Sequence, residues 1–171
     1  TWTNIIKQDS WTNRFPIAAW LILIQVLGLL ALPITLYIFR PLVDRGYLFS
    51  KLLGVFFVCL FVWLLASLKL LAFSDTSISI SILILTVISV VTAIRLKEEL
   101  QAFIRSQWSL IVIAEFIFLA AFASFILIRM ANPDLWHPIR GGEKPMDMAY
   151  LNAVLRSTYM PPYDPWFSGG Y

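Results

Sequence analysis

Residues 108–130 read WSLIVIAEFIFLAAFASFILIRM, with one carboxylate, Glu115, and one arginine, Arg129, at the far end. As an α-helix this run is about 35 Å long at 1.5 Å per residue, enough to cross a hydrocarbon layer of roughly 30 Å. In lipid the backbone has no water to bond to, so a segment of this kind closes its own N–H and C=O groups as a helix. Three further apolar blocks, residues 16–39, 52–73 and 78–94, repeat the pattern. The expected fold class is therefore all-α, an integral membrane helical bundle of about four spans in residues 16–130.

Composition agrees with that solvent. The chain has 171 residues, 60% of them hydrophobic and 13% charged, with a mean hydropathy of +0.80, outside the range of a water-soluble domain. The net charge of +3 comes from basic residues standing singly at the ends of apolar blocks. That flanks a bilayer and makes no nucleic-acid footprint. The single cysteine, Cys59, lies in VFFVCLFVW, where it reads as a small core hydrophobe; one thiol builds neither a disulfide framework nor a zinc site. The first block is long, starts at Pro16 and lacks a small-residue cleavage site, so it is expected to remain as a span.

Residues 1–15 are polar, and Trp11 and Trp20 bracket the first block as interfacial anchors would. The loop RPLVDRGY follows, whose Arg40, Asp44 and Arg45, with the later Lys51, are too costly to place in hydrocarbon. The second block ends near Lys69, expected to extend its ammonium to the headgroups. The third is rich in Ile, Ser, Thr and Val, ordinary for a helix in lipid. Its Ser77, Ser79, Ser81 and Ser89 are expected to serve backbone bonding and helix packing. In RLKEELQAFIRSQ, Leu96, Leu100, Phe103 and Ile104 recur at helical spacing, giving an interfacial helix over residues 95–107 or an extension of the third span. Arg40, Arg45, Lys51, Arg95, Lys97 and Arg105 gather on the two loops of one side. The positive-inside bias puts those loops in the cytoplasm and both chain ends outside, in the plasma membrane.

At residue 131 the composition shifts to Pro, Gly and carboxylates, marking residues 131–171 as an external segment. Pro145 at a first helical position and Pro161 beyond the last turn frame a helix over residues 145–158. On a wheel, Tyr150, Leu151, Val154 and Leu155 share one face, and Asn152 and Arg156 lie opposite. Such a helix is expected on the membrane surface or against the other helices. Asp147 falls within the apolar stripe, where a carboxylate needs a partner. Either Glu143 and Asp147 converge on a metal, a base role or a cation, or Asp147 complements the helix dipole while Lys144 neutralises Glu143. Glu115, two turns inside its span, is a functional candidate because intramembrane carboxylates are costly; the structural alternative is a lock on Arg45, Lys51 or a hydroxyl. Asp134 and the lone His137 carry less, since one imidazole has no second to chelate with. Phosphate-binding glycine loops, nucleophile elbows, cysteine pairs and two-histidine sets are all missing from the sequence.

The tail runs NPDLWHP, GGEKPMDMAYLNAVLRS and MPPYDPWFSGGY resemble the signature region of the YYY, or DUF2298, family of multi-spanning membrane proteins of unknown function. LVDRGYLFSKLLG, VWLLASLKLL and AEFIFLAAFASFILIR resemble that family's N-terminal helices. Family members are usually much longer and carry their tyrosine-rich stretch just beyond this point. The tail is also similar, more distantly, to the first external loop of GT-C fold glycosyltransferases that use a polyprenyl-phosphate sugar donor. That resemblance implies that Asp147 and Glu143 bind a divalent metal or activate an acceptor hydroxyl. Its rival is a structural or accessory subunit that packs on other membrane protein subunits, such as those of an electron-transfer complex.

Overall fold

A computed structural model describes residues 9–132 and 144–167. Glu143, Asp134 and His137 lie outside the described residues. Seven helices occur among the described residues: α1 (Trp11–Arg14), α2 (Pro16–Ile38), α3 (Phe49–Ser67), α4 (Asp75–Arg95), α5 (Lys97–Ser106), α6 (Trp108–Ala131) and α7 (Lys144–Arg156). The class is all-α, and α2, α3, α4 and α6 are long and apolar enough to cross a membrane. The chain divides into two compact units, residues 1–57 with 84–111 and residues 58–83 with 112–171.

In the first unit, α2 and the start of α3 meet backbone to backbone. A Cβ on Gly54 would fall far inside van der Waals contact with the Leu27 carbonyl, so only glycine permits the approach. Gly28 faces the Lys51 side chain, with its would-be Cβ 2.9 Å from Cγ. Pro33 stands inside α2 without ending it, and Thr35 just beyond donates its hydroxyl to the Ala31 carbonyl at 3.0 Å. Lys51 corrects the expectation that it sits in the loop. It belongs to α3 and is 7% exposed; its ammonium donates to the Gln25 amide oxygen and lies 5.7 Å from the centre of the Tyr47 ring. A hydrogen bond and an aromatic face together make burial of the cation tolerable.

The loop after α2 turns through Arg45 and Gly46 at positive φ, with Gly46 under the Phe39 ring. Phe39 stacks on Phe49 at 5.6 Å. α5 is a helix separate from α4, broken at Leu96, and it buries Phe103. Its Glu99 accepts from Arg40 at 2.9 Å and pairs with Arg45 at 3.6 Å, while Arg45 also lies over the Phe103 ring.

In the second unit, α3 ends at Ser67, six residues short of the expected boundary. The cause is a Schellman closure. Lys69 N–H bonds to the Ala66 carbonyl at 3.2 Å and Leu70 N–H to the Leu65 carbonyl at 2.9 Å, with Lys69 itself at φ 56°. Cys59 on α3 is exposed rather than in a core, because the outside of a lipid-facing helix is itself an apolar environment. α4 starts on a reciprocal cap in which Ser74 N–H donates to Ser77 Oγ at 3.1 Å. Ser77 and Ser81 are fully buried and return their hydroxyls to carbonyls one turn back, the role expected of them. The connection before α4 is tied to the chain after α7 by Phe73 N–H donating to the Thr158 carbonyl at 2.8 Å.

Candidate functional site

A cleft of about 1120 Å³ opens in the second unit between the end of α3 and the α7 segment. Ser67 and Lys69 contribute from α3 and its closing turn; Asn152 and Arg156 come from α7, and Tyr159 and Tyr163 from the chain beyond. The Schellman turn places Lys69. A side-chain-bearing residue held in the left-handed region carries a strain of about 1–2 kcal/mol that glycine would not. Ser67 adds a second anomaly, since its Oγ is buried with no hydrogen-bond partner among the described residues. An orphaned buried hydroxyl costs on the order of 1–3 kcal/mol, and a polar ligand in the adjoining cleft would relieve it.

α7 turns the face opposite to the expected one toward this cleft. Ala149, Asn152, Ala153 and Arg156 line it, while Tyr150, Leu151 and Leu155 remain 38%, 50% and 39% exposed. The small residues explain the choice, because alanines at 149 and 153 let the chain after α7 come close, which leucines would not. Asp147 is exposed in the first turn of α7, on the side of the helix away from Arg156. It is therefore not the enclosed carboxylate that the apolar stripe suggested; its position suits the helix dipole.

Asp164, in the PPYDPW run, braces the tail. Its Oδ1 accepts from the Tyr150 hydroxyl at 3.3 Å and from Trp166 N–H at 2.8 Å. Partial desolvation, and then the Asp164 carboxylate, hold the Tyr150 phenol above its ordinary value of 10.0.

Glu143, expected with Asp147 to bind a divalent metal, lies outside the described residues. Among the described residues, no three His, Cys, Asp or Glu side chains come together, and Asp147 is the one carboxylate of α7. Glu115 is half-buried on α6, in keeping with an intramembrane carboxylate that the fold shields in part from lipid. Sequence reasoning passed over Lys69, Arg156 and Ser67 as a group. Only the polarity of Ser67 and Lys69 at a span end hints at a site, and Arg156 is expected on the face of its helix opposite the apolar stripe.

The sequence model of the family described as "Uncharacterized membrane protein (DUF2298)" matches residues 57–171, well over half of the chain and the whole of the cleft. No curated protein and no solved structure matches the chain. Four helices fit to cross a membrane, and a signature tail folded beside the end of one of them, accompany that match: the chain belongs to the DUF2298 family of membrane proteins.

Proposed function

We propose that the chain is the membrane-embedded first part of a GT-C-like glycosyltransferase that takes its sugar from a polyprenyl-phosphate donor. The observation that carries this reading is the cleft, which pairs Lys69 with Arg156 among hydroxyl-bearing side chains at the end of a spanning helix. Such a lining suits a polar, anionic headgroup attached to a lipid better than an apolar ligand. In the reaction an acceptor hydroxyl attacks the anomeric carbon of the donor sugar. The bond from that carbon to the phosphate oxygen breaks, and polyprenyl phosphate leaves with the electron pair. The resemblance to that fold assigns the hydroxyl proton to Asp147, with Glu143, as general base; Asp147 stands outside the cleft lining, on the side of α7 away from Arg156, so the acceptor would approach from beyond the cleft. The basic loops lie in the cytoplasm and α7 on the outer face of the plasma membrane, as the distribution of Lys and Arg directs.

The test is Asp147→Asn in the full-length protein, with glycan transfer measured in membranes and helicity checked by circular dichroism. Loss of transfer with a retained fold supports the reading, and undiminished transfer removes it.

A second reading, a structural or accessory subunit in a larger membrane assembly such as an electron-transfer complex, is favoured by α6. Only 11% of its most apolar stretch is buried within the chain, against 33% for α3. It also leaves Ala120 and Ser124 exposed one turn apart, the small-residue spacing that lets helices approach in lipid. Affinity purification from native membranes followed by mass spectrometry separates the two. A stoichiometric complex with other membrane subunits supports the second reading, and a single monodisperse species counts against it.

A further inference from the structure

We infer that the cleft beside α7 seats the phosphate of a membrane lipid headgroup, with the Lys69 ammonium and the Arg156 guanidinium as its two cationic contacts. This names the ligand class of the cleft on which the transferase reading rests, but it requires none of that reading's chemistry.

Three observations converge on it. Among the described residues the lining holds two cations and no carboxylate, so its field favours an anion. Ser67 offers a buried Oγ–H that lacks an acceptor, and a phosphate oxygen is an acceptor with spare lone pairs. Lys69 is held at φ 56° by the Schellman turn, which fixes the backbone position from which its flexible side chain lines the cleft. Several neighbouring donors are already committed to the fold: Asn152 Nδ2 donates to the Met148 carbonyl and Ser157 Oγ to the Ala153 carbonyl, each at 2.8 Å. Lys69 and Arg156 then supply the charged donors and Ser67 a buried one, with the Thr158 and Tyr159 hydroxyls also on the lining.

The same surroundings point to a phosphate carried on a lipid rather than one free in solution. Ser67 is the last residue of a helix fit to cross the membrane, so the cleft opens where hydrocarbon gives way to headgroups. Lys69 stands between Leu68 and Leu70, which are 66% and 65% exposed. A cation flanked by bare leucines matches a ligand whose charged head is joined to an apolar chain.

The experiment uses the full-length protein in detergent and native mass spectrometry with three probes: a polyprenyl phosphate, the matching polyprenol without phosphate, and inorganic phosphate. The expected result is a retained polyprenyl-phosphate adduct, no polyprenol adduct, and no displacement by inorganic phosphate at equal concentration. Lys69→Gly with Arg156→Gln should weaken the adduct about tenfold to a hundredfold or more, as loss of charged hydrogen bonds predicts. Arg40→Gln, a basic residue outside the cleft, should leave it unchanged. Glycine suits the left-handed position, so Lys69→Gly alone keeps the test readable if the double variant does not fold. Equal binding of polyprenol, or equal binding by the folded cleft variants, would overturn the inference. Displacement by inorganic phosphate would overturn its lipid-borne form. An adduct that persists while Asp147→Asn leaves glycan transfer intact would sink the transferase and spare the phosphate seat.

Discussion

Gly54 on α3 lies so close to the Leu27 carbonyl on α2 that no side chain fits between the two backbones. Contacts of this closeness do in lipid what apolar burial does in water, since lipid supplies no hydrophobic drive for helices to associate. Gly54→Ala should therefore destabilise the protein by about 3 kcal/mol or more, the upper end for overpacking. Gly28→Ala should be milder, because the nearest atom there belongs to a Lys51 methylene that can shift. Thermal unfolding of both variants in one detergent gives the comparison, and equal losses would contradict it.

Glu99 joins Arg40 and Arg45, yet the three side chains keep between 31% and 46% of their surface in solvent. Exposed pairs of this kind contribute little, so Glu99→Gln should cost no more than about 1 kcal/mol. The difference from wild type should shrink as salt is raised from low to physiological ionic strength. A loss of several kcal/mol, insensitive to salt, would show that Glu99 does more than bridge two arginines.

Lys69 in its left-handed turn predicts an unusual gain. Lys69→Gly should leave stability unchanged or raise it by about 1 kcal/mol, whereas Lys69→Val should lower it, because branching at Cβ aggravates the strain. Melting curves of the two variants should move in opposite directions relative to each other.

Tyr150 donates to Asp164, and its phenol titrates above 10.0 in the folded chain. The unfolded state therefore loses this proton first as pH rises. The stability linked to it is fully present below pH 10 and falls away as pH climbs through the folded value. Ultraviolet titration, taken as the difference between wild type and Tyr150→Phe, should show a midpoint above that of free tyrosine. Asp164→Asn should bring the midpoint down. No movement on removing Asp164 would assign the shift to desolvation alone.

The spans were legible because a bilayer reads only length and apolarity, and residues 108–130 satisfy both without reference to any neighbour. Their ends were less legible. α3 stops at Ser67 because Leu65 and Ala66 accept the closing bonds of a turn, and LLASLKLL stays apolar straight through that turn. The cleft was the least legible part. Lys69 and Arg156 stand far apart in the chain, and each reads singly as an ordinary membrane-flanking cation.

From the sequence alone came the solvent, the helical class, the four spanning segments and the family the chain resembles. The first three depend on composition and periodicity, which are properties of short runs, and the resemblance on the particular motifs of the tail. Tertiary structure alone decided that Lys51 is buried against Gln25, that Glu99 collects two arginines, and that α7 turns its alanines and Arg156 rather than its leucines toward the end of α3. Which face of a helix is used depends on the shape of the surface it meets, and that surface is assembled from residues distant in the chain.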